Sequence, residues 1–252
     1  MSQHVPMIEV LGVPVACLTA ENALEEIEKL FARESPAIVF HTNAHTINLA
    51  CDDPSYREVL GRADLVLNDG KGIMLAARIH GRRFPEDLNG NYFSPLLLRR
   101  AAERGWRVFF LGAAPGIAER AAARLRGSIP GLNVVGTRDG FFSSDEEAIA
   151  AIKAAEAELI LVGMGNPLQE RWLERCLSAT GARVGVGVGA FFDFIAGAVP
   201  RAPAWMNRMG LEWLHRLAQE PRRMWRRYIL GNPKFVVRNL RQRVTRSRMS
   251  GR

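Results

Sequence analysis

Asp69 is the side chain in this sequence best placed to move a proton. It follows the apolar run Leu65-Val66-Leu67 within Asn68-Asp69-Gly70-Lys71-Gly72, so its carboxylate is expected to project from a tight turn beyond a strand. A carboxylate in a cleft can take the proton of a hydroxyl nucleophile, with a pKa tuned by burial. As a bare observation, an Asp-Gly pair is more often a turn than a base. His41-Thr42-Asn43 closes an earlier apolar run, Ala37 to Phe40, and offers polar contacts to a hydroxyl-rich ligand. Taken alone, His41 is more often a structural histidine.

Two glycine-rich stretches add a second kind of chemistry. Gly112-Ala-Ala-Pro-Gly116 follows Arg107 to Leu111, and Gly163-Met-Gly165-Asn-Pro-Leu-Gln169-Glu170 follows Leu159 to Val162. Both lead into helices, whose free N–H groups and dipole favour phosphate. Neither is a full dinucleotide fingerprint or a Walker loop, and such glycines also serve turns. Asp193, set among Phe191, Phe192 and Phe194, reads as a helix cap or a ligand contact, the cap being preferred. The histidines form no ligand cluster and the three cysteines (Cys17, Cys51, Cys176) no pair, so no metal is indicated. An odd, unpatterned cysteine count points to reduced thiols in the cytosol.

These candidates need a scaffold that brings strand ends together. Strands apolar throughout alternate with amphipathic helices: Thr19 caps a helix over Glu21 to Arg33, and others follow at Ile117 to Arg126 and up to Leu177. A short strand pair, Ile8 to Val10 and Val13 to Cys17, precedes them. That alternation predicts a parallel sheet covered on both faces, an α/β Rossmann-like domain over residues 1–198. In such sheets ligands bind beyond the carboxyl ends of the strands, where the candidates lie.

From Pro200 the character changes. Residues 200–252 hold 14 Lys+Arg against 2 acids, while residues 1–199 hold 20 against 24. The spacing predicts helices over Ala202 to Leu217, Pro221 to Leu230 and Val236 to Val244. Trp205, Trp213, Trp225, Tyr228 and Ile229 supply an apolar face, with Arg208, Arg216, Arg222, Arg223, Arg226 and Arg227 around it. Basic helices with Trp, Tyr and Leu on one side suit the headgroup plane of an anionic membrane, although an aromatic stripe also packs as core. Residues 199–252 are therefore expected to form a basic, helical, membrane-docking appendage. The N-terminus has no signal-peptide pattern, and Val184 to Val199 is too short for a span, so a cytoplasmic protein peripheral on the inner membrane face is expected.

Together these pieces resemble the WecG/TagA/CpsF glycosyltransferase family over nearly the whole chain. The resemblance rests on Thr42-Asn43, Ala63-Asp64-Leu65 through Gly72, Val108 to Gly112 with Pro115-Gly116, Val162 to Trp172, and Val186 to Asp193. Its most specific part is C-terminal: Arg201-Ala202-Pro203, Gly210 to Leu217, and Gln219 to Arg223. It implies an inverting transferase in cell-surface polysaccharide synthesis. The sugar, of N-acetylmannosamine type or a related hexose or uronic acid, passes from a UDP-sugar to a polyprenyl-diphosphate-linked acceptor. By the same resemblance Asp69 is the general base, Asn43 and Thr42 lie near the donor sugar, and Gln169 contacts the donor. Arg216, Arg223 and Arg226 steady the leaving diphosphate, which suits arginine. Gly70, Gly112, Gly163, Gly165, Glu170 and Asp193 complete the candidate substrate contacts. No cofactor is implied, in keeping with the missing Asp-x-Asp motif.

One segment departs from the family pattern. Within Glu86-Asp87-Leu88-Asn89-Gly90-Asn91-Tyr92, Asp87 stands where an arginine is common and Tyr92 where an aspartate is common, with Arg82 or Arg83 as substitutes. Donor or acceptor specificity is expected to be set there. Two other classes fit less well. An oxidoreductase lacks its dinucleotide fingerprint. A nucleic-acid-binding protein would use the Arg/Trp tail, but residues 1–199 are acidic and carry no recognition module, so no nucleic acid is expected. Self-association through apolar helices stays open.

Overall fold

The computed structural model describes residues 5–200, 202, 203, 206, 209 and 211–250, the side chains of Glu212, Arg223 and 246–250 excepted. The chain opens with a hairpin of β1 (Met7–Val10) and β2 (Val13–Ala16), paired antiparallel across Leu11-Gly12, both at positive φ. Helix α1 (Ala20–Phe31) follows, with Thr19 Oγ1 accepting from the Asn22 amide as the sequence predicts. Then come β3 (Ala37–Thr42), α2 (Ala44–Asp52), α3 (Pro54–Gly61), β4 (Leu65–Asn68), α4 (Lys71–Ile79) and α5 (Gly90–Arg104). The second half adds β5 (Arg107–Gly112), α6 (Ile117–Ser128), β6 (Asn133–Arg138), α7 (Asp145–Ala154), β7 (Leu159–Gly163), α8 (Leu168–Thr180), β8 (Val184–Gly187) and α9 (Phe191–Ala196).

Six strands form one parallel sheet in the order β4-β3-β8-β7-β5-β6. Its two cores follow from the period-2 alternation of each strand. Val39, Leu65, Leu67, Phe110, Leu161 and Val186 face one layer with α1, α5, α6 and α9. Phe40, Val66, Phe109, Leu111, Ile160 and Val162 face the other with α3, α4, α7, α8 and the hairpin. The Rossmann-like α/β architecture expected from the sequence is what forms. Strand β6, absent from the sequence reading, is one of the two edge strands. Its Gly136 and half-exposed side chains break the apolar run that identifies the others.

Beyond α9 the described helices are α10 (Glu212–Gln219), α11 (Pro221–Trp225), a π-helical turn (Arg226–Leu230) and α12 (Gly231–Ser250). Ala202, Pro203 and Leu211 are not helical while Met206 and Met209 are, so the helix expected over Ala202 to Leu217 begins beyond Pro203 and is interrupted before α10. Arg201, Trp205 and Arg208 lie outside the described residues. Helix α12 returns to the sheet domain: Phe235 is buried in the same core as Phe40 and Ile47. Around it Arg238 donates to Asn48 O and Oδ1 and pairs with Asp52, which also takes Lys234 Nζ at 2.7 Å.

Candidate active site

The register of the sheet builds the site. Thr42 of β3 pairs directly with Asn68 of β4, so the residues that follow, Asn43 and Asp69, leave the sheet side by side. The Asp69 amide donates to Thr42 O at 2.8 Å. Asn43 is the N-cap of α2, its Oδ1 accepting from the His45 and Thr46 amides at 3.1 Å each. That use of Oδ1 leaves the Nδ2 hydrogens for another partner, and Nδ2 donates to Asp69 Oδ2 at 3.0 Å. The next residue, Gly70, has φ 86 and ψ 168. That backbone region is open essentially to glycine alone, so Gly70 is required for the chain to turn from Asp69 into α4.

Two adjoining clefts meet at this turn. The larger, of about 860 Å³, is bounded by Gly70, Lys71, Glu86, Asp87, Tyr92, Trp213 and Tyr228. The smaller, of about 380 Å³, is bounded by His41, Gly165, Gln169, Gly189, Phe194 and Arg226. Asn43, His45, Asp69, Asn91, Arg216 and Arg227 line both. The site thus lies where the ends of β4, β3, β8 and β7 converge, beyond the carboxyl edge of the sheet. Its lining combines the carboxylate of Asp69 with arginines of the C-terminal helices, Arg216, Arg226 and Arg227.

Those arginines are held over aromatic rings. The guanidinium of Arg216 lies 5.1 Å from the centre of the Phe194 ring, that of Arg226 5.4 Å from Trp225, and that of Arg227 5.5 Å from Tyr228. Arginine keeps its charge in such stacking, so the positive field is retained while the side chain is oriented. The Arg223 side chain lies outside the described residues.

The glycine loops behave differently from a free phosphate cradle. The amides of Gly165 and Gly189 both donate to Gln169 Oε1, at 3.2 and 3.0 Å, while Gln169 Nε2 donates to Glu170 Oε1 at 2.8 Å. Both acceptor sites of the Gln169 oxygen are occupied, leaving one N–H for the cleft. Gln169 therefore ties together the loops after β7 and β8, and the positive charge of this wall comes from arginine. Glu170 is fully buried behind it and also takes Asn166 Nδ2. Burial pushes its carboxyl up to about 7.

Five sequence candidates sit behind the clefts. Thr42 is fully buried, and Glu170 reaches the site through Gln169 and Asn166. Gly112 and Gly163 are packing glycines: a Cβ on Gly112 would come within 2.5 Å of the Gly163 backbone, and one on Gly163 within 2.8 Å of Gly189 O. Asp193 is the third residue of α9, whose N-cap is Ala190, which corrects the cap reading. Conversely, the structure brings in residues the sequence reading passed over. His45 lines both clefts, and burial together with the Arg227 charge lowers its pKa to about 4, leaving a neutral imidazole at physiological pH. Its place two residues beyond Asn43, on the first turn after β3, is the signal that could have found it. Arg227 also lines both clefts, although its sequence context marks it only as part of the basic face.

The family described as Glycosyl transferase WecG/TagA/CpsF matches residues 8–249. A Bacillus spizizenii protein named N-acetylglucosaminyldiphosphoundecaprenol N-acetyl-beta-D-mannosaminyltransferase is 34% identical over 188 residues, covering 75% of this chain and 72% of the relative. A Bacillus subtilis protein of the same name is 27% identical over 232 residues, covering 92% of this chain and 90% of that one. The chain is a glycosyltransferase and belongs to the WecG/TagA/CpsF family.

Proposed function

We propose that this enzyme transfers an N-acetylmannosamine-type sugar from a UDP-sugar to a sugar carried on a polyprenyl diphosphate, with inversion at the anomeric carbon. The names of the two relatives support the sugar and the acceptor class. The observation that carries the reading is that Asp69 and Arg216 line the same two clefts. Asp69 accepts the proton of the acceptor hydroxyl as its oxygen attacks the anomeric carbon. The bond from that carbon to the UDP oxygen breaks, and UDP leaves with the electron pair. Arg216, Arg226 and Arg227 face the diphosphate, where negative charge grows in the transition state. The smaller cleft, with three arginines, suits the nucleotide diphosphate, and the larger one the acceptor.

The acceptor lipid places the reaction at a membrane. No helix among the described residues is long and apolar enough to cross one. Instead Leu214, Trp225, Ile229, Leu230, Leu240 and Val244 are exposed on the basic C-terminal helices. Such a surface supports peripheral docking on anionic lipid at the cytoplasmic face.

The deciding experiment is UDP release by the purified protein, using a panel of UDP-sugars and a synthetic lipid-diphosphate N-acetylglucosamine acceptor. Acceptor-dependent release with an N-acetylmannosamine donor is expected. Release that ignores the acceptor, or none with any donor, would sink the reading.

A further inference from the structure

We propose that Asp87 is a positioning residue that clamps the proton-accepting turn through the amide of Gly70. The proposal rests on the reading of Asp69 as the base. Asp69 itself is tied to one side of the site, its amide to Thr42 O and its carboxylate to Asn43. Its two neighbours are tied to the other side, by consecutive residues of the segment between α4 and α5. Asn68 Nδ2 donates to Glu86 O at 2.8 Å, and the Gly70 amide donates to Asp87 Oδ1 at 2.8 Å. The turn is therefore gripped from both flanks.

The grip at Gly70 is the one a side chain supplies. Gly70 is the N-cap of α4 and has no side chain to cap with, and nothing lies within 4 Å of where a Cβ would stand, so packing does not hold it. The carboxylate of Asp87 is the polar partner that fixes this peptide, and a hydrogen bond to a charged acceptor is stronger than a neutral one. The Asp87 contact with Lys71 is weaker: it is 3.4 Å long and the lysine is mostly exposed. Burial and the nearby Asp69 charge raise the Asp87 pKa, while the Gly70 bond opposes that rise. The Gly70 amide and the longer Lys71 contact thus offset the cost of burying this carboxylate beside Asp69. Small displacements of a reacting group cost rate steeply, about 100-fold for 1 Å, which is why a clamp on this peptide matters.

The test compares Asp87→Ala with Asp87→Asn, whose amide oxygen can accept the same bond. With Asp87→Ala, kcat is expected to fall about 10-fold or more while the donor KM stays within about 2-fold. Asp87→Asn is expected to recover most of that loss. In parallel, amide exchange at Gly70 is read by NMR on glycine-labelled protein without substrate. Protection is expected in the wild-type chain and in Asp87→Asn, with exchange about 10-fold faster or more in Asp87→Ala. Unprotected Gly70 in the wild-type chain, an Ala variant with unchanged kcat, or Asn as impaired as Ala would overturn the clamp. So would a raised KM with kcat intact, which marks a substrate contact. A fully active Asp69→Asn would remove the base reading, yet the Gly70 exchange would still decide whether Asp87 holds the turn.

Discussion

The side-chain amide of Asn43 donates to Oδ2 of Asp69 at 3.0 Å while its carbonyl oxygen caps α2. One residue thus ends a strand, starts a helix and orients the candidate base. The two jobs use opposite ends of the amide, and substitution can separate them. Serine caps as well as asparagine but has no amide to reach Asp69. Asn43→Ser is expected to unfold within about 0.5 kcal/mol of the parent chain, with kcat lowered about 10-fold or more. Equal loss of stability and activity in denaturant titration and UDP release would refute the division of labour.

The buried Glu170 makes a pH prediction. Burial raises its carboxyl from the usual carboxylate range to about 7. Between that range and 7 the folded chain holds a proton that the unfolded chain has released. Stability from this group is therefore greatest in mild acid and falls as pH rises towards 7, by at most about 3 kcal/mol. Carboxylates with lowered pKa, such as Asp52 and Glu28, which their arginine and lysine partners hold down, contribute the opposite trend at lower pH. The measurement is the difference in unfolding free energy between the parent and Glu170→Gln at pH 5, 6, 7 and 8. A flat difference would remove Glu170 as the source.

Docking of α12 is expected to depend on apolar burial more than on its ion pairs. Phe235 is 2% exposed within the sheet-domain core, whereas Asp52, which pairs with Lys234 and Arg238, is half exposed. Truncating a buried phenylalanine costs about 3–5 kcal/mol, and an exposed ion pair contributes about 1 kcal/mol or less. Phe235→Ala is therefore expected to lower the unfolding midpoint far more than Asp52→Asn. Comparable effects in thermal denaturation would reverse the ranking.

Membrane docking is expected to respond to both charge and apolar area. Arg222 and Arg241 are exposed and lie outside the clefts. Each basic residue near an anionic surface contributes about 1 kcal/mol. Replacing both with serine is expected to weaken partitioning onto phosphatidylserine vesicles about 10-fold or more, with less salt dependence. Ile229→Ser with Leu230→Ser is expected to weaken it without altering the salt dependence. Unchanged vesicle sedimentation in both double variants would detach the appendage from the membrane.

Much of this was legible in the residues themselves. Apolar runs of strand length, helical spacing between them and caps such as Thr19 are local signals, so the parallel α/β domain could be read directly. Asp69 and Asn43 could be found because each ends an apolar strand, and parallel strands bring their ends to one edge. The excess of Arg and Lys after residue 200 needed only counting. What local pattern could not supply was pairing across long separations. That Gln169 would consume the Gly165 and Gly189 amides, that Asp87 would grip Gly70, and that Phe235 would enter the core depend on the strand order β4-β3-β8-β7-β5-β6 and on where α12 returns. A residue's type and period determine which element it forms and which face it buries. Its partner across the cleft is decided by how the elements stack, and only the tertiary structure carries that.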